Sequence, residues 1–332
     1  MKKPKKIVTI GGGTGLFTLL TGLKKYPFNL TAIVAITDDG GSNKKFRDEF
    51  GLLPPSDFRQ CLVALSREPA NSALRELMMY RFSRGRGFKG QTFGNILIAA
   101  LTDIEGSQLK AFIQAGKILN IRGKIVPVST NHNRLVAEYE NGEKVFGEHI
   151  IDEPNRFHDS RQRIEKLFLD KPSTIYHKAK KAIMEADYII LGPGDLYTST
   201  LANVVVKGVP EAIRNSSAKI IYVVNLMTKY GQTYGLSAQD HVLEIKKYLG
   251  KLPDYILINK TILPKAILKR YETQKHDFPV KDNLAKDKSI IRKDLLSNHI
   301  VKKHRADKLE RSLIRHDSDK LARVIWGINN EK

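Results

Sequence analysis

Lys6-Ile-Val-Thr-Ile-Gly-Gly-Gly-Thr-Gly-Leu16 decides how this chain is read. Ile7, Val8 and Ile10 make a short apolar strand. Gly11, Gly12, Gly13 and Gly15 follow, and Leu16, Leu19, Leu20 and Leu23 then recur at helical spacing. The order is strand, glycine turn, helix. Residues without Cβ let a backbone turn sharply and approach a ligand. A helix that starts there points unpaired N–H groups, at the positive end of its dipole, into the turn. Phosphate is the guest such a turn expects; glycines that only pack a helix on a sheet are the alternative. Neither common fingerprint is complete: Leu16 stands where a third dinucleotide-binding glycine belongs, and no Gly-Lys-Ser/Thr follows.

Outward from this turn the pattern repeats. Thr31–Thr37 is a second apolar strand, closing one βαβ unit, and it ends in Asp38-Asp39-Gly40-Gly41-Ser42. Acids at such a tip meet a ribose hydroxyl, hold Mg²⁺ through oxygen ligands, orient a hydroxyl nucleophile, or only cap a turn. Leu53–Gln60 opens a helix with Ser56 or Asp57 as N-cap, and Arg59 falls in its first turn. The dipole disfavours a cation there, which suggests that Arg59 meets an anion. A helix over about 72–82 leads to the basic loop Arg84–Gly90, read either as a lid over phosphate or as a solvated turn. Gln91-Thr-Phe-Gly-Asn95 starts another helix, and 108–119 and 124–129 read as helix and strand.

Residues 135–150 alternate and contain Asn141-Gly142, a type I′ hairpin signal, with a third strand over 163–169. This is an antiparallel insertion at about 130–170. The α/β rhythm then returns: a helix over 175–185, the strand Ala186–Leu191 ending in Gly192-Pro-Gly-Asp-Leu-Tyr-Thr-Ser199, and the strand Lys219–Val224 ending in Asn225-Leu-Met-Thr228. Ser237 and Asp240 begin a further helix, and Asp254–Ile258 reads as the last strand. From 259 to 315 periodicity fades and basic residues dominate, so loops and short mobile helices are expected. Leu321, Val324, Ile325 and Ile328 mark a final amphipathic helix packed on the core. The domain reading is 1–258 as a nucleotide-binding α/β unit and 259–332 as a basic extension.

Composition narrows the classes. The chain has 332 residues and a net charge of +21, which makes a basic nucleic-acid-binding protein a further alternative, although its cations are dispersed and carry no nucleic-acid motif. The apolar start is too short for a signal peptide and no run spans a bilayer, so a cytoplasmic protein is expected. The single cysteine, Cys61, lies in an apolar helical pattern and reads as a core thiol. The nine histidines show no metal-ligand spacing, and no Gly-x-Ser-x-Gly elbow is present. If the strands are parallel, the four strand-tip motifs share one sheet edge, where open α/β sheets bind ligands.

Gly11–Leu16, Asp38–Ser42, Pro54-Pro-Ser-Asp-Phe-Arg59, Gly94-Asn95, Gly192–Ser199, Asn225–Thr228 and Arg315-His-Asp-Ser-Asp-Lys-Leu-Ala322 together resemble the YvcK branch of the CofD-like family. The resemblance implies a doubly wound, mostly parallel, Rossmann-like sheet. It implies a factor that binds a nucleotide sugar, UDP-N-acetylglucosamine in particular, and supports cell shape and wall-precursor supply during gluconeogenic growth. A regulatory protein partner and a homo-oligomer are expected with it. The CofD branch transfers a phospholactyl group with Mg²⁺ and a guanine nucleotide, which is the enzymatic alternative; Asp38 and Asp39 would then be catalytic or hold Mg²⁺. Carried over by position, Gly12, Gly13, Thr14 and Gly15 meet the diphosphate. Asp38, Asp39, Gly40, Gly41, Ser42, Asp57 and Arg59 surround it. Asn95, Gly194, Tyr197, Thr198, Ser199, Asn225, Met227 and Thr228 complete the pocket. Two positions depart from the family: Gln91 replaces a frequent His, and Asp195 replaces a Ser.

Overall fold

In the computed structural model the described residues are 3–69, 72–154, 158–298 and 313–330. The first half runs β1 (Lys6–Gly11), α1 (Gly13–Leu23), β2 (Asn29–Val34), α2 (Gly41–Phe50), α3 (Pro55–Leu65), α4 (Ala73–Met79), α5 (Phe93–Glu105), α6 (Gln108–Ile118) and β3 (Lys124–Pro127). The insertion is β4 (Leu135–Tyr139), β5 (Lys144–Phe146), α7 (Glu148–Asp152) and β6 (Ile164–Leu169). Then come α8 (His177–Met184), β7 (Tyr188–Leu191), a π-helical turn Leu196–Leu201, α9 (Ala202–Val204), α10 (Val209–Asn215) and β8 (Lys219–Val223). The chain closes with α11 (Ala238–Leu249), β9 (Tyr255–Asn259), α12 (Lys265–Lys275), β10 (Ile290–Lys293) and α13 (Ser318–Asn330).

Seven strands form one parallel sheet in the order β10-β9-β8-β7-β1-β2-β3. Alternate side chains bury on its two faces, as a doubly wound sheet requires. Val8, Ile10, Ile189 and Ile220 pack under α8, α10, α11 and the insertion. Ile7, Leu30, Ile190 and Ile221 pack under α1, α3, α5, α6 and α13. Cys61 lies in this second core, fully buried. The insertion is a separate antiparallel sheet, β5-β4-β6, whose Leu135, Ala137 and Tyr139 join the first core.

Three local expectations change. The Asn141-Gly142 turn is not type I′, because only Gly142 has positive φ, +82°. Gly142 N–H donates to Tyr139 O at 2.8 Å, giving a type I turn closed by a left-handed glycine. Asp254–Ile258 is not the last strand: β10 adds beyond it, with Ile290 beside Ile256 and Lys293 beside Asn259. The basic segment thus supplies a strand and the helix α12, although 299–312 lie outside the described residues. Finally, α3 starts one turn earlier than read, with Pro54 as N-cap and Pro55 at N1, so neither Ser56 nor Asp57 caps it.

The terminal helix docks as its spacing indicated, burying Leu321, Ala322, Ile325 and Ile328. Trp326 closes the contact against Tyr26 and Phe28, ring centroids 5.2 and 5.3 Å away. The approach depends on Gly22 of α1, where a Cβ would sit 2.0 Å from Ser318 O and 2.9 Å from Ala322 Cβ. Gly22→Val is expected to lower stability by about 1–3 kcal/mol in urea melts, because the docked helix must move. Gly327→Ala on the same helix, where a Cβ meets nothing within 4 Å, should be neutral or stabilising by up to about 1 kcal/mol. Equal effects of the two would mean that this packing is not what holds α13.

A candidate anion-binding cavity at the switch point

From β1 the chain winds outward through β2 to β3, and from β7 it winds the other way through β8 and β9 to β10. The switch point lies between β1 and β7, where open α/β sheets bind ligands. A cavity of about 1550 Å³ opens there. Of the residues singled out from sequence, Gly12, Gly13, Thr14, Gly15, Asp38, Gly40, Asp57, Arg59, Gly194, Thr198, Ser199, Asn225, Met227 and Thr228 line it. Five stand elsewhere. Tyr197 is only 2% exposed and turns into the core toward Glu244 and Tyr248. Asn95 is fully buried one layer behind the wall, Gly41 and Ser42 open α2, and the Ser42 side chain lies outside what is described. Asp39 turns away, accepting from His149 N–H at 3.0 Å, with Arg47 3.9 Å from its other oxygen.

The floor is the N-terminus of α1. Its first N–H, on Gly13, donates to Asp57 Oδ1 at 2.9 Å, so Asp57 caps α1 rather than its own helix. The next N–H groups, on Thr14 and Gly15, have no acceptor within the helix and face the cavity. Gly15 must be glycine, since a Cβ would lie 2.1 Å from Pro193 O. The turn after β7 is thereby pressed against α1. Asn225 Nδ2 donates to Gly194 O at 2.8 Å, and Asn203 Nδ2 to Ser199 O at 2.8 Å and Gly11 O at 3.3 Å. These amides tie the β1, β7 and β8 tips together. The π-helical turn after Asp195 widens the backbone at this point, as such turns do at functional sites.

Arg59 lines the cavity with its guanidinium held by protein groups. It is 3% exposed, and its Nε donates to Asn95 Oδ1 at 2.9 Å and its Nη1 to Met78 O at 3.3 Å. Asn95 Nδ2 donates to Ser56 Oγ at 3.2 Å, and Ser56 Oγ to Asn43 Oδ1 at 2.7 Å; Asn43 Nδ2 then donates to Asp38 Oδ2. The buried cation thus ends a chain that orients Asp38. Gly40 N–H donates to the other Asp38 oxygen at 3.0 Å. Burial, then the nearby Asp57 charge, push the Asp38 carboxyl up to about 7. Burial pushes Asp57 to about 6, against the pull of Gly13 N–H and Arg59.

The carboxylates of Asp38 and Asp39 therefore diverge and do not fit as a chelating pair for Mg²⁺. Among the described residues no group of three or more His, Cys, Asp and Glu is arranged to hold a metal. The loop Arg84–Gly90 is an exposed turn closed by its own backbone bonds, Lys89 N–H to Gly85 O at 2.8 Å and Gly90 N–H to Phe82 O at 2.8 Å. Its Arg86 and Lys89 form a basic rim. Gln91, at the departure from the family pattern, is 7% exposed in the wall, with Oε1 unpartnered among the described residues.

The sequence reading missed Lys229 and α7. Lys229 Nζ bonds Asp152 Oδ1 and, at 2.7 Å, Asp195 Oδ2. Burial disfavours the ammonium, but Asp152 and then Asp195 hold its pKa above the usual lysine range. The negative charge that Asp195 brings is thus offset locally. Burial also works against the Asp152 carboxylate, and Lys229 holds it below its usual range. The only sequence signal for this group was the acid at 195 itself, which needs a countercharge that spacing does not locate. Ile314, Arg315 and His316 line the far side; burial lowers the His316 pKa to about 4, so its ring is neutral.

The comparisons agree with this geometry. Residues 7–298 match the family model described as 2-phospho-L-lactate transferase CofD. A putative gluconeogenesis factor of Thermotoga maritima is 43% identical over 325 residues, covering 98% of this chain and 99% of that one. The gluconeogenesis factor of Bacillus subtilis is 36% identical over 341 residues, with both chains fully covered. The crystal structure of a UPF0052 family member from Bacillus halodurans superposes with a TM-score of 0.86 at 33% identity, over 98% of this chain and 100% of that one. Among the described residues no helix is long and apolar enough to cross a membrane. The chain belongs to the CofD family, among the YvcK-like gluconeogenesis factors.

Proposed function

We propose that this protein binds a nucleotide sugar, UDP-N-acetylglucosamine first among candidates, and so supports cell shape and wall-precursor supply in gluconeogenic growth. The observation that carries the reading is the convergence of Gly12–Gly15, Gly194–Ser199 and Asn225–Thr228 on one cavity. The free N–H groups of α1 suit a diphosphate. The cavity, at about 1550 Å³, exceeds the roughly 300–1000 Å³ of common ligand sites, so a nucleotide with an attached sugar is accommodated. Relatives named gluconeogenesis factors link the role to gluconeogenesis. Cytoplasmic location and a protein partner belong to the same proposal.

A phospholactyl-type transferase is the second reading. The family model carries that description, and a carboxyl near 7, as on Asp38, is poised for general-base work. Mg²⁺ would have to arrive with the phosphates and use one carboxylate, since the Asp38–Asp39 pair does not chelate. Calorimetry separates the readings. UDP-N-acetylglucosamine should bind with micromolar Kd and be recovered intact, and Thr14→Val should weaken it about tenfold or more through loss of a phosphate contact. Unchanged affinity in Thr14→Val rejects the site. Preference for GDP with Mg²⁺, together with product formation, selects the transferase.

Keeping Asp38 ionised in this wall works against folding, which gives a second prediction. Its carboxyl rises from 3.8 when free to about 7 when folded, so between those values the native state binds more protons than the unfolded chain. Wild-type stability should therefore fall as pH rises through that window. Asp38→Asn has no charge to lose. Its Tm should exceed wild type by roughly 2–4 °C at pH 8 and by little near pH 4, while nucleotide-sugar affinity drops. A Tm difference that is the same at both pH values would defeat this account.

A further inference from the structure

The insertion sheet supplies a cavity wall that the strand tips do not. β5 leads into α7, whose Glu148 and Asp152 line the cavity close to Asp38 and Asp195. Asp152 is engaged: it accepts from Gln232 Nε2 at 2.9 Å, Thr198 Oγ1 at 3.2 Å and Lys229. Asp38 accepts from Gly40 and Asn43. Glu148 differs, because among the described residues no hydrogen bond satisfies its carboxyl. Burial, then the Asp38 and Asp152 charges, drive its pKa well above the carboxylate range. Another group in the same wall is unsatisfied: Thr37 is 2% exposed, and its Oγ1 has no partner among the described residues. A buried polar atom left open in this way is satisfied by a ligand or stands as a penalty, and the half-buried Glu148 carboxyl stays open to the cavity beside it.

Charge defines the missing partner. Of Asp38, Glu148, Asp152 and Asp195, the last two already hold the Lys229 ammonium, while Lys45, Arg86 and Lys89 line other parts of the cavity. His149 also lines the wall, its backbone on Asp39 and its ring against Gly40. Arg47 is directed at Asp39. Carboxyl groups accept from hydroxyls and, when protonated, donate to them. A neutral polyol satisfies them in either state, whereas another carboxylate meets the negative charge of Asp38 once the pH exceeds about 7.

We propose that Thr37, Asp38, Glu148 and Asp152 form a subsite for the uncharged, hydroxyl-rich sugar of the ligand, and that this subsite excludes sugars bearing a carboxylate. The inference rests on the nucleotide-sugar reading and adds which sugars are accepted.

The test is calorimetry at pH 8 with UDP, UDP-glucose, UDP-N-acetylglucosamine and UDP-glucuronate. Both neutral sugar nucleotides should bind more tightly than UDP, and UDP-glucuronate about tenfold or more weaker than UDP-glucose. Asp38, ionised at pH 8, carries the repelling charge, so Asp38→Asn should shrink that ratio to about threefold or less. The ratio is read within one protein, so a general weakening of the variant does not blur it. Thr37→Val should bring UDP-glucose affinity toward that of UDP. Equal binding of UDP-glucuronate and UDP-glucose, or an unchanged ratio in Asp38→Asn, overturns the subsite while UDP binding keeps the nucleotide reading. Failure of UDP itself to bind overturns both.

Discussion

The backbone contact between Gly15 and Pro193 constrains everything around the cavity. A side chain at residue 15 would lie 2.1 Å from the Pro193 carbonyl, so the turns after β1 and β7 touch main chain to main chain. These strands are neighbours in register, Ile7 beside Tyr188 and Ile10 beside Leu191. Their helices depart in opposite senses at the switch point, and a gap opens between them. Closing the base of that gap makes the two turns one rigid seat. Asp57 stiffens it from a third element by taking the Gly13 N–H, which leaves the following N–H groups for a ligand. An anion site built on main chain in this way needs no lysine to be specific for phosphate-like geometry.

Charge around the seat is arranged against this attraction. Carboxyl groups from β2, α3, α7 and the β7 turn surround it, with Lys229 between Asp152 and Asp195. Buried ions are tolerated when paired, and otherwise take up protons. Asp152 with Lys229 follows the first course; Asp38 and Glu148, whose pKa values rise, follow the second. The cavity therefore changes character across its width, from N–H donors at α1 to carboxyl groups at α7. A ligand with a phosphate at one end and hydroxyls at the other matches that gradient.

The sheet was legible because apolar runs ending in glycine or Asp-Gly leave few alternatives to parallel strands and ligand-facing tips. Each of the four tips does reach the cavity. What stayed hidden depended on distance in sequence. Lys229 pairs with Asp195, 34 positions away, and with Asp152, 77 away, and no periodicity links them. The Arg59 position was judged by the dipole of its own helix, but Asn95 and the Met78 carbonyl hold it. β10 was missed because Ile290–Lys293 is short and sits in a basic stretch, where pairing with β9, not local pattern, makes it a strand. Asn141-Gly142 signalled a hairpin correctly, but the turn type followed from where the ladder begins.

The acidic wall is fixed by the core rather than by a loose loop. β4 lies in the main hydrophobic core through Leu135, Ala137 and Tyr139. Tyr139 Oη donates to Gly231 O at 2.9 Å, tying the insertion to the loop that carries Lys229. Burial raises the Tyr139 pKa, so its phenol remains a donor. Gly231 N–H in turn donates to Ser160 O at 2.9 Å, back into the insertion. With both the N–H and the C=O of Gly231 held, Lys229 and α7 are held in one frame. Discrimination among sugars by single hydroxyl groups needs positions fixed to a fraction of an ångström. A wall anchored by a buried phenol and a packed strand meets that requirement, which the exposed Arg84–Gly90 turn does not.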